Sequence, residues 1–147
     1  MILLDTTILV YASGSDHLLK QPCVALIEAV ADGRVAATTT VEVIQEFAHV
    51  RVRRFERTRS QTAELANAYT VLLSPLVRPD ARDLERGLEI WAQHDALGAF
   101  DGVLAASVLN RSHIGTLMST DRAFGTVAGL RSADPGNPDD LRDIGLD

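Results

Sequence analysis

Directly after its first residue the chain reads Ile2-Leu3-Leu4-Asp5, an unbroken apolar run that stops on an acid. A strand with water on one side alternates apolar and polar residues, so a short continuous apolar run predicts a strand covered on both faces, as in parallel sheets. Parallel neighbours cannot be joined by a tight turn and need a crossover, usually a helix. The same pattern returns at Gly115–Ser119, with Asp121 just beyond it. Further short strands are expected at 34–37 and at Leu76-Val77. Helical periods fill the intervals. One helix is predicted over 17–32, with Val24, Ile27 and Val30 on one side and Gly33 as its stop. A Thr39-x-x-Glu42 capping box predicts a second from about Val41 to Phe55. Others are expected over 60–73, after Asp80 and Asp83 with Leu84, Leu88 and Trp91 as the inner stripe, and over about 100–112. Strands alternating with helices predict an α/β sandwich with a mostly parallel sheet.

The 147 residues suit one domain, expected over 1–131, with 132–147 as an acidic, polar and mobile C-terminal tail. No apolar run approaches the ~20 residues of a membrane span, and the start reaches an acid too soon for a secretory leader. The single Cys23 excludes an internal disulfide and a thiolate zinc cluster; a reducing, cytoplasmic compartment is expected. Net charge is −6, which disfavours broad capture of nucleic acid. The charge is uneven, however. Residues 134–147 hold five Asp and one Arg, leaving only −2 for the rest, and five arginines cluster between 51 and 59. Arg53, Arg54 and Arg57 share about 100° of a helix wheel and are candidates for a phosphate rail; a solvated helix end is the plainer reading.

In an open parallel sheet, ligands bind in the crevice beyond the carboxyl ends of the strands. Asp5 and Asp121 follow two candidate strands and are expected to share that crevice, although Asp5 can also simply cap a helix starting at Thr6. Glu46 lies at the boundary of its helix's apolar arc, whereas Glu42 is explained by the capping box. Asp101 stands in the first turn of its helix on the stripe of Leu104, Ala105 and Val108, so it is expected to point inward. Two carboxylates ~4 Å apart repel by about 4 kcal/mol at an effective dielectric of 20. Several together require a cation or protonation. Oxygen-only ligands select a hard cation, Mg²⁺ or Mn²⁺, suited to phosphoryl chemistry.

Four segments carry a resemblance: Ile2-Leu3-Leu4-Asp5-Thr6-Thr7, Val43-Ile44-Gln45-Glu46-Phe47, Ala99-Phe100-Asp101-Gly102-Val103-Leu104-Ala105-Ala106 and Met118-Ser119-Thr120-Asp121-Arg122-Ala123-Phe124. In this order they resemble a PIN domain, more narrowly the VapC toxins of VapBC toxin–antitoxin pairs, over about residues 1–131. The resemblance implies a ribonuclease-H-like α/β/α sandwich that cleaves RNA, with tRNA the expected target, using Mg²⁺ or Mn²⁺ and a metal-activated water, leaving a 5′-phosphate and a 3′-hydroxyl. Asp5, Glu46, Asp101 and Asp121 would be catalytic, with Asp5, Asp101 and Asp121 holding the metal and Thr7 and Thr120 supporting them by hydrogen bonds. A homodimer and a VapB-type antitoxin partner are implied as well. Gly102 stands where such chains commonly have Ala, at a modest cost in helix propensity.

Other readings are weaker. Glu46-x-x-His49 and His94-Asp95 are isolated pairs. A catalytically inactive PIN-like module that binds RNA or protein is the alternative, and the complete set of four acids weighs against it. A Mg²⁺ phosphatase of haloacid-dehalogenase type would want an Asp where Thr7 stands, and a response-regulator receiver would want a late Lys, whereas the only Lys is Lys20.

Overall fold

The computed structural model describes residues 1–55 and 57–146; Glu56 and Asp147, both part of the charge pattern above, lie outside the described residues. β1 (Ile2–Leu4) runs directly into α1 (Thr6–Ser13), followed by α2 (Lys20–Ala31), β2 (Ala37–Thr38), α3 (Val41–Phe55), α4 (Arg59–Leu72), α5 (Ala81–Gln93), α6 (Ala99–Leu109), β3 (Thr116–Met118), a 3₁₀ turn over Arg122–Thr126, β4 (Ser132–Ala133) and α7 (Pro138–Asp143). The strands form one parallel sheet in the order β2-β1-β3-β4, flanked by helices. β1 and β3 are central neighbours, and every residue of both is buried, which is why both read as unbroken apolar runs. The chain leaves β1 toward β2 on one side and returns to β3 on the other. The switch point therefore falls at the carboxyl ends of β1 and β3.

Several expectations need correction. The first helical stretch begins at Lys20 rather than at 17. Thr39 does not cap α3: its hydroxyl donates to the Leu4 carbonyl, and Thr40 Oγ1 accepts from Val43 N instead. With the cap moved one residue, Glu42 falls out of the capping box, and its buried Oε2 has no hydrogen-bond partner. Leu76-Val77 contributes one parallel bridge, Thr40 to Val77, and no strand. The predicted inner stripe of α5 is its open one: Leu84, Leu88 and Trp91 are 50%, 42% and 47% exposed. Asp83, Gly87 and Ile90 are buried in its place. The cause is glycine. A Cβ on Gly87 would stand 2.6 Å from Val103 Cα, and one on Gly102 would strike the Gly87 carbonyl, so α5 and α6 meet backbone to backbone on that side. Gly102 is thus a packing requirement and not merely a weak helix former.

The segment expected to be a loose tail is folded in part. Ser132–Ala133 pairs with β3, α7 follows, and Leu146 is buried. Among the described residues no helix is long and apolar enough to cross a membrane.

Candidate active site

Asp5 extends the central ladder, its N–H donating to Met118 O at 3.0 Å, and then caps α1, with Oδ1 accepting from Thr6 N at 2.7 Å. Its other oxygen, Oδ2, accepts from Ser119 Oγ at 2.6 Å and Thr7 Oγ1 at 3.0 Å. Ser119 Oγ also accepts from Asp121 N at 3.0 Å, so one buried hydroxyl ties the ends of β1 and β3 together. Glu46, on the second turn of α3, is held through Oε2 by the Thr6 hydroxyl at 2.5 Å. Asp101 belongs to the opening turn of α6, where Oδ2 accepts from Gly98 N at 3.1 Å. Asp121 caps the 3₁₀ turn through Oδ1 and Ala123 N at 2.9 Å.

All four carboxylates line one cavity of about 290 Å³, together with Thr6, Thr7, Val10, Tyr11, Val50, Arg54 and Phe55. The sequence placed these four acids at a common crevice, and the structure brings them there. Glu42 lines a different pocket, against Phe100, Val103 and Leu104. Thr7 sits as expected, and its hydroxyl also accepts from Thr120 N at 3.3 Å. Thr120 contributes that backbone N–H, while the hydroxyl that reaches Asp5 from this segment is Ser119's. Thr6 and Ser119 were not singled out from the sequence.

The electrostatics follow from burial. Asp5 is 5% exposed. Burial pushes its carboxyl above the usual range, the hydrogen bonds from Ser119, Thr7 and Thr6 pull it back, and the charge of Glu46 adds to the rise. Asp101 is raised chiefly by burial, opposed by the Gly98 N–H, with the charges of Asp5 and Asp121 pushing further. The cavity thus holds more negative charge than it can comfortably keep.

The all-oxygen chemistry of this donor set suits a hard divalent cation. One oxygen of each of Glu46, Asp101 and Asp121 is fixed by a nearby backbone N–H or hydroxyl, those of Thr6, Gly98 and Ala123; among the described residues no hydrogen bond reaches the other. Among those residues, however, no three His, Cys, Asp or Glu side chains stand together closely enough to hold a metal ion by themselves. Mg²⁺ bound here would take one or two of these carboxylates and complete its shell with water and substrate phosphate.

Of the arginine group, Arg54 reaches the cavity, and Arg53 and Arg57 are exposed outside its lining. Arg51 is structural. It donates to Ser13 O at 2.9 Å and lies 5.8 Å from the centre of the Phe47 ring, joining α3 to the end of α1. His94 makes no dyad with Asp95; its ring nitrogens meet the carbonyls of Ile90 and Thr126.

The PIN domain family model matches residues 2–130. Ribonuclease VapC7 of Mycobacterium tuberculosis (strain ATCC 25618 / H37Rv) is 46% identical over 129 residues, 87% of this chain and 87% of that protein. The chain belongs to the PIN-domain family, on its VapC branch. Ribonuclease VapC13 of the same organism is 29% identical over 131 residues, 89% of this chain and 98% of the relative. Among solved structures, FitAB bound to IR36 DNA fragment superposes with a TM-score of 0.70 at 15% identity, covering 93% of this chain and 96% of that one. VapBC2 from Rickettsia felis, bound to a DNA fragment from its promoter, gives 0.68 at 16%, covering 91% and 98%. At such identities these two share the fold.

Proposed function

We propose that this PIN domain is the toxin of a toxin–antitoxin pair, a Mg²⁺- or Mn²⁺-dependent endoribonuclease that hydrolyses phosphodiester bonds in structured RNA, with tRNA as the target. The observation that carries the reading is the cavity itself. Four carboxylates from four separate segments line it, three of them with an oxygen left over, in a chain similar over 87% of its length to a protein named a ribonuclease. Asp5, Asp101 and Asp121 would hold the cation. When bound, it supplies the positive charge that offsets the carboxylates and the phosphate, and it makes water acidic enough to serve as nucleophile at neutral pH.

The chain's own groups do the rest. Thr6 N, Thr7 and Ser119 fix both oxygens of Asp5, so this carboxylate cannot swing away as charge shifts. Glu46, aimed by the Thr6 hydroxyl, takes the proton released from the attacking water. Arg53, Arg54 and Arg57 carry RNA phosphates toward the acids, offsetting the net charge of −6. Cleavage leaves a 5′-phosphate and a 3′-hydroxyl.

Residues 1–131, with β4 completing their sheet, carry this activity, in the cytoplasm. A VapB-type antitoxin holds it in check. Two copies pair as a homodimer, and the open Leu84–Leu88–Trp91 stripe is an apolar surface suited to that contact.

The test is cleavage of a cellular RNA pool by the purified chain with Mg²⁺ or Mn²⁺. Activity is expected to disappear in EDTA and in Asp5→Asn, and to fall by roughly 100-fold or more in Glu46→Gln, while Glu42→Gln stays near wild type. Cleavage that persists in EDTA would overturn the mechanism, and equal losses in the two glutamate variants would overturn the choice of Glu46.

A further inference from the structure

The acids account for only part of their cavity's wall. The remainder is apolar and aromatic: Val10 and Tyr11 from α1, and Val50 and Phe55 from α3, with Arg54 beside them. Neither cation binding nor attack on a phosphate needs such a surface, and apolar neighbours make ionised carboxylates costlier. Phe55 does not serve the core, being 36% exposed at the last residue of its helix.

Two helix faces build this wing in step. On α1, Thr7, Val10 and Tyr11 follow at i, i+3 and i+4; on α3, Glu46, Val50 and Arg54 follow at i, i+4 and i+8, so each set shares a side of its helix. Along α3 the wall therefore passes from carboxylate to apolar to cation over two turns, about 11–12 Å. The Tyr11 ring is stacked on His17, with centroids 4.4 Å apart and planes 22° from parallel.

Resting on the ribonuclease reading above, we propose that this wing seats an unpaired RNA base, that of the nucleotide beside the cleaved phosphate, while Arg54 receives that nucleotide's outer phosphate. Aromatic and apolar faces accept any base by stacking, which is how proteins hold single-stranded nucleic acid. A guanidinium matches phosphate. The whole cavity, acids and wing together, is about 290 Å³, room on the scale of one splayed nucleotide, so the seat favours cutting in loops and single-stranded stretches. An apolar side chain of a protein partner is the rival occupant. A peptide drawn by the four acids would bring cations of its own, and Arg54 opposes those; phosphate is drawn by it.

The experiment uses the full chain with Mg²⁺ and a short single-stranded oligoribonucleotide of mapped cleavage site. An abasic ribose replaces the nucleotide on one side of the cut bond or the other. In the wild type, base removal on one side is expected to raise KM about 10-fold or more and leave kcat within about twofold, while removal on the other side has little effect. In Phe55→Ala the intact RNA already shows the raised KM, and base removal adds almost nothing; Tyr11→Leu gives the same non-additivity in a second variant. Indifference of the wild type to base removal on both sides overturns the seat without needing any variant. So do penalties that simply add. Unchanged RNA kinetics in both variants would assign the wing to a protein side chain instead. If the wild type cuts no RNA with either metal, the ribonuclease reading itself fails and the seat with it.

Discussion

Asp101 carries the clearest conflict between folding and chemistry. Its carboxyl is held above the ordinary range by burial and by the charges of Asp5 and Asp121, so the folded chain binds that proton more tightly than the unfolded chain does. Between the two pKa values stability falls as pH rises, and at neutral pH the ionised group is a burden. Asp101→Asn is therefore expected to melt about 3 °C above the metal-free wild type at pH 7, with the gain vanishing below about pH 4 and no RNA cleavage remaining. A lower melting temperature at pH 7 would contradict this account of the charge crowding. The four acids were legible in the sequence because each ends a strand, opens a helix or sits at the edge of an apolar arc. Ser119 was not. It stands beside Asp5 because β1 and β3 pair with Leu4 opposite Met118, and continuing that register sets residue 5 against residue 119 on the same face. Register between strands more than a hundred residues apart is a property of the folded sheet, so the neighbouring Thr120 could not be told from Ser119 beforehand.

At the scale of elements, the seam between α5 and α6 shows what periodicity misses. That Asp80 and Asp83 open α5 was readable from four consecutive residues, and in the structure they form its capping box. The second task of Asp83 was not, because its partners lie far along the chain. Arg111 donates to both of its oxygens, at 3.0 and 2.8 Å, and Asn110 donates at 2.9 Å. Burial raises the Asp83 carboxyl, but these bonds and the Asp80 N–H outweigh it and hold the group below its usual range. Asp83→Asn is expected to cost about 3 kcal/mol at pH 7, since it leaves Arg111 without its counter-charge. A group held low contributes stability above its unfolded pKa and loses it as pH falls through the folded value. The gap between variant and wild type should therefore narrow in urea titrations below about pH 4. The same seam explains why an apolar count along α5 chose the wrong face: Gly87 has no side chain to register in such a count, yet it decides which side lies against α6. Gly87→Ala gains helix propensity of about 1 kcal/mol but must push Val103 aside, and a net loss of roughly 1–2 kcal/mol in denaturant unfolding is expected.

For the molecule as a whole, the alternation of short apolar runs with helical periods was enough to give a parallel α/β sandwich. It did not give the strand order, because pairing is long-range, or β4, which at two residues has no period to detect. Nor did the charge total of −6 convey its layout, with acids inside the cavity and Arg53 and Arg57 exposed around the end of α3. If those two arginines meet RNA phosphates, replacing both with Ala should raise KM and reduce the slope of log affinity against log salt by about 1.4, roughly 0.7 per lost contact on a single strand. An unchanged slope would remove them from the RNA path. The layout has one more practical result. Asp5 and Asp121 each cap the structure that follows them, and Asp101 closes the turn that opens α6. Alanine there would strip a cap at about 1 kcal/mol apiece, whereas asparagine caps nearly as well as aspartate. If these acids carry the proposed chemistry, amide side chains would silence it while leaving the scaffold standing.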